Sequence, residues 1–308
     1  MNKKVFIIIV TFNPKSWIQK CLKSIISNSY PCEIIIVDNG STDGSIEIIK
    51  SEFTKALLIQ SEQNLGFGQG NNLGIKKAYD AGADYVFLLN QDAWIQNDTI
   101  EKLVLMANAN PGFGIISPIH LNGNGDALDY GFSNYIVPKK CHEFFSDTVL
   151  NKVKDEIYPV DFVNAAAWLI SRECIETVGG FSPSFYHYGE DDNYCQRILF
   201  HNLKIGICPN AIIFHDRDQR PKNKFFTNTF IYYKRKIVSE FSNPNSNKKK
   251  GSFYKSEIKG LYISLLTLDF DKMKSYIHNI KVLNSIDFNF IEKNKELTIS
   301  KGTSFLNN

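Results

Sequence analysis

An apolar run from Tyr85 to Leu89 is followed at once by Asn90-Gln91-Asp92, which joins an amide to a carboxylate. The run is typical of a buried strand, and in an open α/β sheet ligands bind outside the carboxyl ends of the strands. An aspartate there is placed to hold a hard divalent cation, which takes oxygen ligands and commonly carries a substrate's phosphates. An aspartate in such a tripeptide more often caps a turn or a helix, so the metal-binding interpretation depends on three other sites that agree with it.

Two further polar segments follow the first two predicted strands, Thr11-Phe12-Asn13 and Asp38-Asn39-Gly40-Ser41. Adjacent strand ends form a crevice where the strand order of a sheet reverses. There the Asp38 carboxylate could accept a hydrogen bond from a base N–H or a ribose hydroxyl, and Phe12 could lie along a base. Asp-Asn-Gly-Ser is also what a tight turn requires, so both interpretations stay open.

A glycine-rich segment, Asn64–Asn72, precedes a predicted helix. It is not the dinucleotide fingerprint, because Asn71 stands where a third glycine is needed, and it lacks the Gly-Lys-Ser/Thr of a P-loop. It would bring small residues and backbone amides near a helix N-terminus, where anions are favoured. Such a loop is compatible with several functions.

Three successive acids, Glu190, Asp191 and Asp192, open another predicted helix after an aromatic segment that includes Tyr188. Acids at this position are favoured by the helix dipole whatever the function. The functional interpretation is that one of them is a general base that removes a hydroxyl proton, while the aromatic segment holds a polyol. His215, at the end of the last predicted strand, is a candidate metal ligand, although a lone histidine is more often structural.

Strands and helices alternate through the first 120 residues, which predicts an α/β protein with a doubly wound, mainly parallel sheet flanked by helices. Further on, we expect a strand over Asp161–Ile170, a helix over Arg172–Val178, a helix over Asp192–Asn202 and a strand within Leu203–Phe214.

The composition shifts after His215. Two amphipathic helices are expected at Thr227–Phe241 and Phe253–Leu268, and the last 25 residues are weakly patterned.

The overall composition limits the protein class. The 308 residues are 43% hydrophobic and 22% charged, as in soluble globular proteins. A net charge of +3 implies no general affinity for nucleic acid. The six cysteines include no Cys-x-x-Cys pair, which argues against a structural zinc site and fits reduced thiols in a cytoplasm. The apolar run Val5–Val10 is too short and too β-branched for a secretion signal, and no run reaches the roughly 18 apolar residues of a spanning helix.

Six motifs occur in a fixed order: Thr-Phe-Asn, Asp-Asn-Gly-Ser-Thr-Asp, Asn-x-Gly-Phe-Gly-x-Gly-Asn-Asn, Asn-x-Asp, Gly-Gly-Phe, and Glu-Asp followed by Cys-x-Arg. Each is weak alone, but six in order at matching spacing are specific. Over roughly residues 4–215 the chain resembles the family 2 glycosyltransferases, and more narrowly their rhamnosyltransferase-like branch.

The resemblance implies a GT-A fold, with a nucleotide-sugar-binding and catalytic domain at 1–220 and a mostly helical extension at 221–308. It implies inverting transfer of a sugar from a nucleotide-diphosphate sugar, dTDP-rhamnose or a UDP-sugar, to a hydroxyl of a glycan or lipid-linked acceptor in surface polysaccharide biosynthesis. Asp92, with His215, would ligate Mn²⁺ or Mg²⁺. Asp191 would be the catalytic base, with Glu190 orienting the acceptor or the loop.

The resemblance also implies two sets of binding residues. Trp168 and Tyr188 would line the pocket for the donor or acceptor sugar. Asp38 and Thr11 would hold the base, and Asn64 and Gly66 would lie near the ribose and diphosphate, within a nucleotide-binding set of Thr11, Phe12, Asn13, Asp38, Asn39, Asn64, Gly66, Asn71 and Asn90.

Two departures from the family pattern bear on the site. The first acid of the family's Asp-x-Asp is Asn90 here, so the metal is expected to be held by one carboxylate. His215 is followed by Asp-Arg-Asp-Gln-Arg instead of a turn with Gly or Ser, so the lid over the diphosphate is expected to differ, with Arg217 or Arg220 as candidate phosphate contacts.

Two other functions are weighed against this one. A sugar-phosphate nucleotidylyltransferase would need an opening glycine-rich loop with Arg and Lys, which the chain lacks after its first strand. A non-catalytic nucleotide-sugar or carbohydrate-binding protein would not need Asp92 and Asp191 together.

The C-terminal part suits contact with a membrane surface. The segments 231–236 and 248–250 place aromatic rings beside cations, as on proteins that contact an anionic membrane. Charge runs are more often solvated faces. We therefore expect a cytoplasmic protein, with the inner face of the cytoplasmic membrane as an open alternative.

Overall fold

A single open sheet of nine strands forms the centre of the computed structural model, which describes residues 3–217 and 228–306. The strand order is β3-β2-β1-β4-β8-β6-β9-β5, and β7 pairs with β9 beside this path. The strands are β1 Val5–Thr11, β2 Cys32–Asp38, β3 Leu57–Gln60, β4 Tyr85–Leu89, β5 Ala93–Ile95, β6 Phe113–Asn122, β7 Tyr158–Val160, β8 Ala167–Ser171 and β9 Lys204–His215.

Helices cover both faces of this sheet and continue beyond it. Those before the gap in the described chain are α1 Ile18–Ile26, α2 Ser45–Glu52, α3 Gly66–Asp80, α4 Thr99–Ala109, α5 Tyr130–Ser133, α6 His142–Val149, α7 Arg172–Val178 and α8 Glu190–Phe200. Those after it are α9 Thr229–Ser242, α10 Lys250–Leu266, α11 Phe270–Asn284 and α12 Phe288–Leu297.

The predicted α/β class and the helices on both faces are confirmed. Strands β1 to β4 are parallel to one another, and Thr11 at the end of β1 lies beside Asp38 at the end of β2. The sheet as a whole is mixed, because β8 runs antiparallel to β4 and β6, while β5 and β7 run antiparallel to β9. The carboxyl ends of β1, β2 and β4 therefore meet at one edge.

The apolar strands explain the two layers of core. In β1, Phe6 and Ile8 belong to one buried cluster, and Ile7 and Ile9 belong to the cluster on the opposite face. Strands buried on both faces read as continuous apolar runs rather than as an alternation of polar and apolar residues. The first layer packs mainly against α3, α7 and α8, and the second against α1 and α4.

The glycine-rich segment has a structural use. Helix α3 begins within it, and a Cβ atom added at Gly74 would lie 2.5 Å from Ile8 Cγ2. At Gly70 the added atom would lie 2.8 Å from Val10 Cγ1. These glycines let α3 lie close to β1, so their small size is needed for packing in the protein's own core.

Two of the predicted elements have different bounds in the structure, and one keeps its bounds. The strand expected over Asp161–Ile170 is found only at Ala167–Ser171, and residues 161–166 form an irregular segment that ends in a turn. The helix expected from Asp192 begins two residues earlier, at Glu190. Helix α7 has the predicted bounds.

The C-terminal helices pack on the sheet-bearing part of the chain. Phe185, next to the acidic segment, shares a buried cluster with Ile237 and Phe241 of α9 and with Phe288 of α12. The last 25 residues, although weakly patterned in sequence, contain α12 and a tail that packs back against the segment after α7. There the Gly180 amide donates to the Ser304 carbonyl oxygen at 2.8 Å. The boundary predicted at residue 220, like Arg220, lies outside the described residues.

Candidate active site

The turn after β2 is organised by Asp38. Its fully buried carboxylate accepts hydrogen bonds from Thr11 Oγ1 at 2.9 Å, from the Gly40 and Ser41 amides at 3.1 and 2.9 Å, and from Ser41 Oγ at 2.5 Å. All four donors belong to the two strand ends. The structure therefore favours turn chemistry for Asp38, and a contact with a nucleotide base stays a prediction.

The turn after β1 is tied to its neighbours on both sides. The Phe12 amide donates to Gln91 Oε1 at 2.7 Å, and the Asn13 amide donates to Ser41 Oγ at 2.9 Å. Asn13 adopts a left-handed backbone with φ of 50°, and its side chain accepts from the Thr42 amide. The Phe12 ring is 47% exposed beside this framework, so it is available to lie against a planar ligand.

The start of α3 closes the same crevice. Asn39 Nδ2 donates to the Gly66 carbonyl oxygen at 3.1 Å, and Asn64 Oδ1 accepts from the Gly66 amide at 2.9 Å. The predicted nucleotide residues at 39, 64 and 66 thus lie together. Asn71 differs, because its buried side chain donates to the Phe67 carbonyl oxygen within α3.

A buried chain of polar side chains lies at the ends of β4 and β9. His215 Nε2 lies 3.5 Å from Asp92 Oδ2 and 3.4 Å from Asn90 Nδ2, while His215 Nδ1 lies 3.4 Å from Asp129 Oδ2. Pairing of β5 with β9 sets Ala93 opposite His215 and so brings Asp92 to the histidine. The predicted pair of metal ligands, Asp92 and His215, is therefore brought together.

Asp129 was not predicted from the sequence. It caps α5 through the Phe132 amide and also binds Arg217, whose Nε lies 2.6 Å from Asp129 Oδ2. Burial alone would raise the pKa of Asp129, but the adjacent His215 ring and the Arg217 guanidinium hold it well below its usual range. Burial lowers the pKa of His215, partly opposed by Asp129. A neutral imidazole backed by a carboxylate is the usual arrangement of a metal-binding histidine.

The donor set fits a divalent cation whose remaining ligands come from the substrate and from water. Within residues 3–217 and 228–306, no group of three or more His, Cys, Asp or Glu side chains is arranged around a common metal position. Asp92 and His215 supply two donors, and Asp129 would orient the second. Mg²⁺ typically binds one or two carboxylates together with substrate phosphates and water, so two protein ligands are compatible with such an ion.

The acidic segment lies across a cavity of about 480 Å³ from this polar chain. Asn90, His215 and Arg217 line the cavity together with Glu190 and Asp191. A larger groove, about 880 Å³, runs along Pro31–Ile35 and Phe53–Leu57. It lies at the opposite edge of the sheet, away from every chemistry-bearing motif.

The acids at the start of α8 are held in a poorly solvated place. Burial, with the charge of Asp191 next, raises the pKa of Glu190 to about 8, and Arg235 opposes the shift. Glu190 Oε2 is buried without a hydrogen-bond partner among the described residues. Burial also raises the pKa of Asp191. Paired acids with raised pKa values in a cleft are typical of sites that move protons.

The C-terminal helices contribute to this cavity. Arg235 of α9 lines it, lies with its guanidinium 5.9 Å from the centre of the Tyr188 ring, and packs its Cγ against Gly189. Tyr188 has a φ of 66°, which is uncommon for a residue with a side chain. The predicted pocket residue Tyr188 thus lines the cavity, and sequence reasoning missed Arg235 because its partners are more than 40 residues away.

Trp168 is placed differently from its prediction. It is fully buried in β8 and stacks on Phe181, with ring centres 6.1 Å apart. It does not line the cavity. The family resemblance placed Trp168 at the sugar pocket, but its ring packs in the buried core against Phe181.

Comparison with known proteins agrees with this geometry. A family model described as "Glycosyl transferase family 2" matches residues 6–179. Glycosyltransferase GlyA of Streptococcus pneumoniae is 34% identical over 106 residues, which cover 33% of this chain and 15% of GlyA. The dTDP-rhamnosyl transferase RfbF of Shigella flexneri is 23% identical over 226 residues, which cover 70% of each chain. The resemblance to rhamnosyltransferases is confirmed, although the chain spans only a small part of GlyA.

A solved structure shows the same fold. The mannosyltransferase PcManGT from Pyrobaculum calidifontis, in complex with GDP-Man and Mn²⁺, superposes with a TM-score of 0.55 at 17% identity, covering 97% of this chain and 74% of that chain. Identity this low shows the fold alone, which is GT-A. Because the family model covers more than half of the 308 residues, the chain belongs to glycosyl transferase family 2.

Proposed function

We propose that this protein transfers a sugar from a nucleotide-diphosphate sugar, dTDP-rhamnose or a UDP-sugar, to a hydroxyl of a glycan or lipid-linked acceptor, with inversion at the anomeric carbon. The observation that carries the proposal is the shared cavity. His215, whose ring lies 3.5 Å from the buried Asp92, lines one space of about 480 Å³ together with carboxyls of raised pKa.

The nucleotide is proposed to bind in the crevice between the ends of β1 and β2. The Asp38 turn and the start of α3 give this crevice fixed walls, and the half-exposed Phe12 ring supplies an apolar surface for the base. Preformed walls lower the ordering cost of binding. The diphosphate would then extend towards Asn90.

Asp92 and His215 are proposed to hold Mn²⁺ or Mg²⁺ when the donor is bound, with Asp129 fixing the histidine ring. Such an ion neutralises the charge of a departing diphosphate. Asp129 and Arg217 form a hydrogen-bonded pair next to it, so the orientation of the imidazole does not depend on the ligand.

Asp191 is proposed to be the base. Its carboxylate takes the proton of the acceptor hydroxyl while that oxygen forms a bond to the anomeric carbon and the bond from that carbon to the diphosphate breaks. Attack from the face opposite the leaving group inverts the configuration, and no covalent enzyme intermediate is needed. Glu190, deeper and still protonated near neutral pH, is proposed to orient Asp191 or the acceptor.

The main alternative is a binding protein without catalysis. Buried acids with raised pKa values disfavour it, because they cost stability and binding alone does not require them.

Thermal unfolding with a panel of nucleotides tests the proposal. UDP, dTDP, GDP, CMP and their sugars would be added with and without Mn²⁺, since a ligand that binds only the native state raises the melting temperature. We expect a rise with one diphosphate nucleoside that depends on Mn²⁺ and is lost in Asp92→Asn. A rise with none of the nucleotides, or with CMP alone, would contradict the proposed donor.

A further inference from the structure

The turn between α10 and α11 carries an exposed apolar surface. Its side chains are between 49 and 73% exposed. We call this surface the apolar tip, and it consists of Tyr262, Ile263, Leu265, Leu266, Leu268 and Phe270. Soluble proteins seldom expose so many large apolar side chains together unless the surface contacts something.

The apolar tip follows from the way α10 and α11 pack. The two helices form an antiparallel pair that packs tightly at Gly260, where an added Cβ atom would lie 2.3 Å from the Tyr276 ring. Only Phe253 and Ser264 of α10 are buried. No charged residue occurs from Gly260 to Leu268, so the outer face of this helix end is apolar although solvent surrounds it.

Charge is distributed unevenly between the two parts of the chain. Residues 228–306 contain 14 Lys and Arg against 7 Asp and Glu, whereas residues 1–217 contain 18 against 24. On α10, Lys255 and Lys259 precede the apolar tip and form no ion pair with any residue in the two described ranges. The acids at the tip, Asp269 and Asp271, are paired with Lys272 and Lys274.

We propose that the apolar tip enters the headgroup region of an anionic lipid bilayer, with Lys255 and Lys259 against the lipid phosphates. Apolar side chains beside lysines are the composition of helices that lie at a membrane surface. No helix in the described part of the chain is long and apolar enough to cross a bilayer, so the contact is interfacial. A second copy of the chain is disfavoured as the occupant, because a symmetric contact would bring two positively charged regions together.

The proposed membrane contact differs in place from the one predicted from the sequence, which was at residues 231–236 and 248–250. Lys248 is paired with Glu240, and Tyr233 and Tyr254 donate to Glu257 and Asn284. These groups are engaged within the C-terminal helices. The apolar tip, in contrast, keeps six large apolar side chains exposed within nine residues.

Flotation of the full chain with vesicles tests the proposal. Vesicles of phosphatidylcholine alone would be compared with vesicles that also contain phosphatidylglycerol. We expect binding to the anionic vesicles, and a loss of about tenfold or more in Leu266→Ser/Phe270→Ser, because each side chain contributes several buried methylene groups. The matched control is Ile26→Ser/Leu105→Ser, which removes two apolar side chains that are 62 and 63% exposed elsewhere. It should bind like wild type.

A second variant pair tests the charge. Lys255→Gln/Lys259→Gln should weaken binding to the anionic vesicles about tenfold, and Lys50→Gln/Lys55→Gln on the sheet-bearing part should not. Circular dichroism melts would confirm that all four variants fold.

Two results would overturn the proposal. One is equal flotation of wild type and Leu266→Ser/Phe270→Ser, or no flotation of wild type with either lipid. The other is a wild-type dimer in light scattering that becomes a monomer in Leu266→Ser/Phe270→Ser, which would show that a second copy covers the apolar tip.

Discussion

Two groups of carboxylates at the same edge of the sheet have opposite surroundings. Asp38 is fully buried and receives four hydrogen bonds from its own turn and from Thr11. Glu190 is also buried, yet one of its oxygens has no hydrogen-bond partner among the described residues and its pKa is raised to about 8.

The difference distinguishes a carboxylate that stabilises the fold from carboxyls suited to take part in the reaction. A carboxylate whose acceptor positions are filled by backbone amides and hydroxyls stabilises the turn that holds it. A carboxyl with few donors in a poorly solvated cavity holds its proton more tightly and is suited to proton transfer. We therefore assign Asp38 to the frame of the nucleotide crevice and Asp191, next to Glu190, to the reaction.

The largest effect is expected when the proposed base, Asp191, is removed. Asp191→Asn should lower turnover by roughly 10²- to 10⁴-fold, the usual contribution of a general base. Release of the nucleoside diphosphate in the presence of acceptor measures it. Asp192→Asn, one residue further along and more exposed, is the matched control and should retain most of the turnover. Equal losses in the two variants would mean that the cluster acts only through its total charge.

The next largest effect is expected when Asp38 loses the charge that holds the turn after β2. Asp38→Asn should lower the free energy of unfolding by about 2–3 kcal/mol, because two amides and two hydroxyls lose a charged acceptor. Urea unfolding measures it, with the exposed Asp80→Asn as control. An unchanged stability together with lost nucleotide binding would show that Asp38 contacts the base directly.

Asp129 combines features of both carboxylates. It is buried and contacted by Arg217 and His215, as Asp38 is by its turn, but His215 is also a proposed metal ligand. Asp129→Asn should lower the affinity for Mn²⁺ in the presence of nucleotide by about 10- to 100-fold, as for other groups that orient a metal-binding histidine. Titration of Mn²⁺ at fixed nucleotide measures it. An unchanged Mn²⁺ requirement would exclude His215 as a ligand oriented by Asp129.

The pH dependence of stability tests the raised pKa of Glu190. Between its ordinary value of 4.5 and its folded value of about 8, the folded chain keeps a proton that the unfolded chain releases, so stability is lost as the pH rises through this window. Glu190→Gln cannot ionise. Its stability relative to wild type should therefore increase by about 2 kcal/mol between about pH 6 and about pH 8.

Urea unfolding of both proteins at the two pH values measures this difference. Glu62→Gln makes the same chemical change at an exposed position and is the control. A constant difference between Glu190→Gln and wild type would mean that Glu190 ionises normally.

The smallest expected effect concerns the glycines of α3. Gly74→Ala should destabilise the fold by about 1–2 kcal/mol, because the new Cβ atom would meet Ile8 at 2.5 Å in a packed core. Gly251→Ala, in a helix with no atom within 4 Å of the added Cβ, should be neutral or slightly stabilising. Thermal melts compare the two. A Gly74→Ala variant that has normal stability but no longer binds nucleotide would show that this segment serves nucleotide binding and not packing.

The sequence predicted those parts of the structure that depend on local pattern. The apolar strands, helix α7 and the polar residues at the ends of β1, β2 and β4 follow from periodicity and from the geometry of parallel strands. The order of motifs identified the family. Phe12, Asn39 and His215 were correctly expected at this edge of the sheet because each directly follows or ends a strand.

The parts that were missed depend on contacts between distant segments. Asp129 and Arg235 reach the site from α5 and α9, and nothing near them in the sequence marks them. Trp168 was assigned to the sugar pocket by the family resemblance, and only the packing of β8 against Phe181 shows that its ring lies in the core. Helix α12 was missed because its stability comes from packing of Phe288 and Ile291 against α9, not from a strong pattern of its own.

Nucleotide affinity and turnover measured together on Asp38→Asn and Asp191→Asn test the central claim most directly. The calorimetric dissociation constant for the donor nucleotide with Mn²⁺ would be compared with the rate of nucleoside diphosphate release. We predict that Asp191→Asn binds the nucleotide like wild type and has lost turnover, while Asp38→Asn loses affinity in step with stability. Normal turnover in Asp191→Asn, or a loss of nucleotide affinity as large as that of Asp38→Asn, would contradict the assignment.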